Sequence, residues 1–427
     1  MKPKTKIQKE VAALSKRLPK ISEAQKTYAF RHSFEHVGRR SAKGIVTCTE
    51  CGHQWQGNGA LADTLCGCTC PHCGMELKVH TTRKRVFKEI EYFSMITTCK
   101  GYQVIRFFFA KAYYKVGQPA EYTIDEVAQR WIAPNGKFET IARLRGIAFI
   151  YYDLWQEGSS MEIRRNHRVY DITPACTYPR IRVIPELKRN GFKGEFHNLQ
   201  PFDLFCELLK NNQAETLIKT GQYSLLSYFI HHSYKSISTY WNAIRIATRN
   251  GYMVGDAGIW CDYIDLLRYF GKDTNSPKYI CPADLKAEHD KYQNKVRILQ
   301  EQEKRKEQMK RARENEARFR ALKGKFFGLE FTDGTIVVRV LDSVEAYYDE
   351  GNALHHCVGQ CEYYLKPDTL VFSARIEDKR VETVELSLET FKVLQSRGLC
   401  NKNTKYHKRI MNLVHKNIAL IRKRRAA

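Results

Sequence analysis

Two Cys-x-x-C pairs near the N-terminus place the strongest constraint on what this chain can fold into. The first pair is Cys48 and Cys51, the second is Cys70 and Cys73, each is followed by glycine, and 18 residues separate them. Four thiolates at this spacing can close a tetrahedral shell around zinc, and the glycines permit the turns that aim backbone amides at sulfur. The sequence therefore predicts a zinc ribbon over residues 45–82.

A shell of four cysteines has no open coordination position, so the predicted zinc is structural and not catalytic. Cys66 and Cys68 lie close to the second pair, and either could replace Cys70 as a ligand. We favour Cys70 because it completes a second Cys-x-x-C-Gly sequence. A redox pair or reduced buried thiols would not explain two pairs of the same form.

The charge of the chain indicates a polyanionic partner. Lysine and arginine number 71 against 46 acidic residues, a formal net charge of +25. Such an excess attracts DNA or RNA through the summed field, although a basic surface that binds no nucleic acid is the alternative. The predicted ribbon is flanked by the basic residues Arg39, Arg40, Lys43, Lys78, Arg83, Lys84 and Arg85.

Several locations and enzyme classes are disfavoured by the sequence. It has no run of about 18 apolar residues and no apolar core of a secretory signal, so we expect a cytoplasmic protein without membrane contact. It lacks the Gly-x-x-x-x-Gly-Lys-Ser/Thr loop of P-loop motors and the His-Glu-x-x-His of one zinc protease class. No two histidines are separated by a single residue, which excludes the histidine metal cradle of relaxases.

Residue patterns predict an α+β fold with several domains. The run GYQVIRFFFAKAYYKVG is typical of sheet, and its aromatic residues either fill a core or stack on bases. The stretch 284–323 has no glycine or proline and is dense in charge, which favours a long solvated helix. The predicted segments are a basic N-terminal arm (1–44) with a helix over Ile7 to Leu18, the zinc ribbon (45–82), a β-rich domain (83–183), a helical domain (184–283), the charged helix or linker (284–323) and a C-terminal module (324–427).

The C-terminal module is predicted as an antiparallel sheet flanked by helices. Asp333-Gly334 between two apolar runs indicates a hairpin, and Ser343 can cap the helix that follows. LVFSARI, RVETVELSL and FKVLQSRG are three further strand candidates. A last helix is expected over roughly Lys405 to Ile421.

The segment GNALHHCVGQ, residues 351–360, is the second candidate site. A cysteine beside histidine can become a thiolate nucleophile, with Cys357 attacking and His355 or His356 as the base. A packed corner built on Leu354 and Val358 is an alternative. A second metal site is another, and its ligands would be a histidine together with Cys357, Cys361 and Cys400.

Polar residues downstream could complete this candidate site. Gln395 and Arg397 share one face of a strand, and Asn401 follows shortly after. Polar groups at the end of an otherwise apolar strand can cradle a ligand. Gln395, Arg397 and Asn401 are therefore candidate substrate-binding residues.

The chain from about Ile184 to its end resembles the PcfJ-like family, which is found with conjugative plasmids, integrative elements and phages. The resemblance rests on EGNALHHCVG (350–359), QSRGLCN (395–401), YWNAIRIATRNGY and WCDYIDLLRYFGKD. It implies a link to conjugation or mobile elements, without a reaction to transfer. The positions it carries over as candidate functional sites are His355, Cys357, Gly359, Gln395, Gly398 and Asn401.

Three functions remain open from the sequence. The first is a nucleic-acid-binding accessory protein of a conjugative or other mobile element, in which a zinc ribbon and basic segments hold DNA or RNA. The second is a cysteine- and histidine-dependent enzyme that acts on nucleic acid or a nucleotide-like substrate. The third is a scaffold whose function lies in protein contacts.

Overall fold

The structure is a computed structural model that describes residues 2–148, 152–156, 158–232 and 234–426. It divides into two compact units, Met1–His289 and Asp290–Ala427. Both units contain helices and sheets, which confirms the predicted α+β class. None of the helices in the described part of the chain is both long and apolar enough to cross a membrane.

A small five-stranded sheet carries the cysteine pairs. Strand β1 pairs parallel with β5, and the other neighbours are antiparallel. The central strand comes from the segment predicted as an N-terminal arm, so the ribbon begins earlier than its cysteines indicate. The strands are β1 (Val37–Arg40), β2 (Ile45–Cys48), β3 (Gln54–Gln56), β4 (Cys68–Thr69) and β5 (Glu76–Thr81), and their order in the sheet is β3-β2-β1-β5-β4. In the chain, helices α1 (Lys6–Ser15) and α2 (Glu23–Ser33) precede β1, and α3 (Ala60–Cys66) lies between β3 and β4.

A six-stranded sheet in the order β12-β9-β8-β7-β6-β13 and a separate hairpin β10-β11 make up the β-rich region. Phe107 and Phe109 on β7 are only 5% and 7% exposed, so these aromatic residues fill the core. The strands are β6 (Val86–Cys99), β7 (Tyr102–Lys115), β8 (Glu121–Ile132), β9 (Phe138–Ala142), β10 (Arg145–Ala148), β11 (Tyr152–Trp155), β12 (Glu162–Arg164) and β13 (Cys176–Thr177).

The two N-terminal helices pack on this large sheet. Each begins with a capping box, in which a Thr5 or Ser22 side chain bonds the backbone of the first turn. Val11 of α1 is fully buried in a cluster that includes Trp131, and Ala29 of α2 packs with Phe93. The basic N-terminal segment is therefore a cover for the sheet as well as a carrier of charge.

Among the described residues of the first unit, seven helices follow the sheets. Their apolar residues recur three or four positions apart, as the sequence indicated, and Trp260 at their centre donates from Nε1 to the Ile280 carbonyl at 3.0 Å. They are α4 (Pro185–Arg189), α5 (Pro201–Lys210), α6 (Asn212–Lys219), α7 (Tyr223–His231), α8 (Ile237–Arg249), α9 (Ala257–Tyr269) and α10 (Pro277–Ile280).

The long charged helix is a single element, α11 (Leu285–Lys323), which confirms the prediction for 284–323. Most of its side chains are exposed. Near its C-terminal end, Phe319 packs in a core cluster of the second unit. Lys323 is fully buried there and donates from Nζ to the carbonyls of Pro367 and Thr369.

A five-stranded antiparallel meander forms the centre of the second unit, in the order β14-β15-β16-β17-β18. The predicted hairpin at Asp333-Gly334 and the Ser343 cap are both present, and Ser343 Oγ accepts from the Ala346 amide at 3.1 Å. The elements are β14 (Glu330–Thr332), β15 (Ile336–Val340), α12 (Val344–Leu354), β16 (Thr369–Ile376), β17 (Lys379–Ser387), β18 (Val393–Arg397), α13 (His407–Lys416) and α14 (Ile418–Ala426).

The prediction of one terminal helix from Lys405 to Ile421 is wrong, because the chain forms two helices there. Asn417 breaks the helix with φ −102° and ψ 8°. Both terminal helices still cover one face of the meander, where Ile410 and Ile421 are fully buried. The opposite face packs against α12, where Val371 of β16 and Tyr347 share a core cluster.

Candidate functional site

Two turns of the same local structure hold the four N-terminal cysteines. Gly52 and Gly74 have φ of +78° and +70°, in the left-handed region that favours glycine. The amides of residues 50 and 51 bond the Cys48 sulfur, and those of 72 and 73 bond the Cys70 sulfur. Two backbone bonds recur in each turn: Cys48 N to His53 O (2.9 Å), Gly52 N to Cys48 O (3.0 Å), Cys70 N to Met75 O (2.8 Å) and Gly74 N to Cys70 O (3.0 Å).

The geometry of the four sulfur atoms suits a metal ion. All four lie within 4.8 Å of one another. Cys48 Sγ is 3.8 Å from Cys73 Sγ, and Cys51 Sγ is 3.6 Å from Cys70 Sγ. A tetrahedral shell with metal–sulfur bonds of about 2.3 Å places its sulfurs about 3.8 Å apart. These four cysteines can therefore hold one ion in a closed shell.

The remaining cysteines do not join this cluster. Among the described residues, the four cysteines are the one group of three or more His, Cys, Asp or Glu side chains close enough to share a metal. Cys66 is exposed at the end of α3, and Cys68 lies on β4. The alternative second metal site, with a histidine, Cys357, Cys361 and Cys400, is not assembled among the described residues.

The predicted basic flank of the ribbon is only partly available to a ligand. Arg40 forms an ion pair with the buried Asp63, at 3.1 Å. Arg39 donates from Nε to the Thr82 carbonyl at 3.0 Å. Lys78 lies 2.6 Å from Glu35. Lys43, Arg83, Lys84 and Arg85 of the flank are exposed, and they form no ion pair with any residue that the structure describes.

In the C-terminal unit, the adjacent histidines face different surroundings. Helix α12 ends at Leu354, and His355 follows it in the left-handed conformation, with φ +51°. His355 and Cys357 are exposed, whereas His356 is half-buried. Because His355 has the left-handed conformation, the two adjacent imidazoles differ in exposure to solvent.

His356 and Cys357 line a cleft with a free volume of about 390 Å³, solvent at its mouth included. Gln395, Arg397 and Asn401 line the same cleft, so five of the predicted site residues come together. His355, Gly359 and Gly398 are not part of its wall. The other lining residues are Val358, Tyr363, Val371, Thr383 and Glu385.

A fully buried carboxylate lies behind the cleft wall and bonds to it. Glu350 accepts from Thr383 Oγ1 at 3.0 Å, and Thr383 Oγ1 lies 2.8 Å from His356 Nε2. Glu350 also accepts from Ser373 Oγ at 2.9 Å and from Arg380 Nε at 2.8 Å. Burial raises the pKa of the Glu350 carboxyl and lowers the pKa of the His356 imidazole.

A second carboxylate orients the glutamine of the cleft. Glu385 is 5% exposed and accepts from Gln395 Nε2 at 2.8 Å and from Lys366 Nζ at 3.0 Å. Gln395 Nε2 also lies 3.3 Å from the Tyr363 hydroxyl. The side-chain amide is thereby fixed with its nitrogen toward Glu385, which leaves its carbonyl oxygen as the acceptor for a ligand.

The glycines of the motif have steric roles. A Cβ at Gly359 would lie 2.8 Å from Tyr348 Cα and 2.9 Å from the Tyr347 carbonyl oxygen. A Cβ at Gly398 would lie 2.8 Å from the Val381 carbonyl oxygen. Both positions therefore require glycine because another segment of backbone passes close by.

Sequence reasoning did not single out Glu350, Thr383, Glu385 or Tyr363 as site residues. The available signal was the run VETVELS, where glutamates stand within an otherwise apolar strand. Glu382, Thr383 and Glu385 are all nearly or fully buried there. Charged residues in a buried strand require partners, and these partners are the polar groups of the site.

The terminal helices carry a strongly basic surface. Residues 390–427 contain eleven lysines or arginines and no aspartate or glutamate. Lys408, Lys416 and Lys423 are exposed members of this set. Arg409 pairs with Asp333 at 2.8 Å, so it is partly neutralised.

Residues 259–411 match the family model described as PcfJ-like protein. No curated protein and no solved structure matches the chain. The matched residues include the cleft and all the positions carried over from EGNALHHCVG and QSRGLCN, whereas YWNAIRIATRNGY lies before the match. The resemblance to this family is thereby confirmed, and the chain carries a PcfJ-like region over residues 259–411.

Proposed function

We propose that this protein binds nucleic acid, with the basic surface of its terminal helices as the main contact. The observation that carries the proposal is the set of exposed lysines and arginines after residue 390, a stretch of sequence with no acidic residue. Such a surface attracts phosphates and releases their counterions. DNA and RNA both present this charge, so the surface alone does not select between them.

The ribbon contributes a second, smaller basic surface held by a structural zinc. Four thiols with sulfur separations of 3.6 and 3.8 Å suit zinc, and a closed shell gives zinc no catalytic position. The exposed residues Lys43, Arg83, Lys84 and Arg85 would then contact phosphate. Zinc acts here by holding the two turns together, because the small ribbon has few apolar residues of its own.

The test is binding to labelled single- and double-stranded DNA and RNA over a range of salt concentrations. The variant Lys408→Glu, Lys416→Glu, Lys423→Glu removes charge from the proposed surface. Its control, Lys188→Glu, Lys193→Glu, Lys272→Glu, changes the net charge equally at exposed positions of the first unit. We expect the slope of log K against log salt to fall by up to about 3 in the first variant. No binding at low salt, or equal loss in both variants, would overturn the proposal.

The PcfJ-like region supports a cytoplasmic accessory role in conjugation or in another mobile element. In that role the protein assists the nicking enzyme, and proteins of the transfer machinery are further partners. Deleting the gene from its element should lower transfer frequency, and the charge-reversal variant should fail to restore it. Unchanged transfer after deletion would remove this role while leaving nucleic-acid binding intact.

A second candidate function is an enzyme whose substrate enters the cleft of the C-terminal unit. The observation that favours it is the presence of His356, Cys357 and Arg397 in one cleft wall. Cys357 would act as nucleophile, His356 as base, and Arg397 would stabilise developing negative charge. Gln395 and Asn401 would orient the substrate, which we expect to be nucleic acid or a nucleotide-like molecule. Fast, site-selective alkylation of Cys357 tests this candidate.

A further inference from the structure

We infer that Glu350 is a positioning residue for His356: acting through Thr383, it holds the imidazole with a proton on Nε2 and stabilises its protonated form. The inference deepens the second candidate function and rests on the cleft being a site. Glu350 does not line the cleft, so it would not touch a substrate.

The directions of the hydrogen bonds carry the inference. Thr383 has one hydroxyl proton and donates it to Glu350 Oε1 at 3.0 Å. Toward His356 Nε2, at 2.8 Å, the same hydroxyl can therefore only accept. The imidazole must then donate from Nε2. Its other nitrogen is placed to donate to the carbonyl of His356 itself.

Contacts from Arg380 and Ser373 favour the acceptor role of Glu350. Arg380 donates from Nε to Oε2 at 2.8 Å. Arg375 donates from Nε to Ser373 Oγ at 3.1 Å, which directs the Ser373 proton to Glu350 at 2.9 Å. Burial raises the pKa of Glu350, but the Arg380 guanidinium and the two hydroxyls favour the ionised carboxylate, in which both oxygens accept.

The other ionisable groups of the cleft wall do not take the place of Thr383 and Glu350 as partners of His356 Nε2. They are Cys357, Tyr363, Glu385 and Arg397. Glu385 is bonded to Lys366 and Gln395, and Arg397 donates to Asn403 Oδ1 at 3.0 Å. The contacts of His356 to Thr383 and to its own carbonyl both favour the imidazolium form. The developing positive charge on the imidazolium would be stabilised by Glu350 through Thr383.

The test is the pH dependence of diethylpyrocarbonate modification at His356, read by tandem mass spectrometry on the full chain. The reagent modifies the unprotonated imidazole, so the midpoint of the profile reports its protonation. We expect Glu350→Gln to move the His356 midpoint down by on the order of one pH unit. Thr383→Val should lower it as well, whereas Thr383→Ser should restore the wild-type profile. The neighbouring exposed His355 is an internal reference that no variant should shift.

An unchanged His356 midpoint in folded Glu350→Gln and Thr383→Val would overturn the inference, even if both variants lost thermal stability. If Glu350→Gln does not fold, the Thr383→Val and Thr383→Ser pair decides alone. Cys357 alkylation in the same samples separates the two claims. An unreactive Cys357 with a shifted His356 removes the enzymatic candidate, whereas a reactive Cys357 with an unshifted His356 removes the positioning role of Glu350.

Discussion

The cysteine ribbon and the C-terminal cleft bring their polar side chains together in opposite ways. In the ribbon, two similar turns each supply two thiols, and backbone bonds within five residues direct them. In the cleft, the wall comes from the segment after α12, from strands β16, β17 and β18, and from the segment after β18. Two buried carboxylates, Glu385 in the wall and Glu350 behind it, then hold the side chains in place. Local sequence thus determines the first site, and packing between distant segments determines the second.

The largest expected effect is the loss of the ribbon fold when one of its four clustered cysteines is replaced. Cys70→Ser should abolish metal binding and unfold the ribbon, because binding of a structural zinc contributes on the order of 10 kcal/mol to such a fold. Native mass spectrometry should find one zinc per wild-type chain, and hydrogen exchange should rise over residues 37–81 in the variant. The C-terminal unit should keep its protection.

Cys66→Ser is the matched control for this change. Cys66 is exposed and outside the cluster, so its variant should retain the metal. Loss of zinc from Cys66→Ser, or retention by Cys70→Ser, would show that the shell uses a different set of thiols.

A smaller effect is expected from overpacking near the cleft. Gly359→Ala places a methyl group 2.8 Å from Tyr348 Cα, against backbone that cannot move aside cheaply. We expect a loss of about 3 kcal/mol in the free energy of unfolding of the C-terminal unit, measured by urea denaturation. Gly324→Ala is the control, because a Cβ there meets no atom within 4 Å. Equal stabilities of the two variants would contradict the close approach at Gly359.

The smallest effect concerns the pH dependence of the buried carboxylate Glu382. Burial raises its pKa, but bonds from Ser396, Thr404 and His407 outweigh burial and leave that pKa below its usual value. A lowered carboxyl pKa contributes stability above the unfolded value, and this contribution is lost as pH falls through the folded value. Glu382→Gln should therefore cost about 2 kcal/mol at neutral pH and less in acid. Urea denaturation of both proteins between pH 7 and about pH 3 measures the difference, and a difference that stays constant down to the acid end would refute the assignment.

The sequence predicted those parts of the fold that depend on local pattern. Paired Cys-x-x-C motifs, the charged run of α11 and the Asp333-Gly334 turn each specify their structure within a short window. The final helix was mistaken because its apolar period continues past Asn417, where the backbone leaves the helix. Nothing in the local pattern distinguishes that break from a continuous helix.

The cleft was only half predictable, for a physical reason. His356, Cys357, Gln395, Arg397 and Asn401 stood out as polar residues in motifs, and all five line the cleft. Glu350 and Thr383 act through hydrogen bonds that span 33 residues of chain, and no periodicity reports such a contact. Gly359 and Gly398, which were also candidate site positions, lie where backbone segments approach closely.

The contrast between a closed ribbon and an open cleft is tested most directly by alkylating the native, zinc-loaded protein and reading each cysteine by mass spectrometry over a range of pH. The account predicts that Cys48, Cys51, Cys70 and Cys73 stay protected until a chelator removes the metal, while Cys357 is modified early and faster than the exposed Cys400. Protection of Cys357 until the unit unfolds, or labelling of the four ribbon cysteines at the same rate as Cys357, would contradict it.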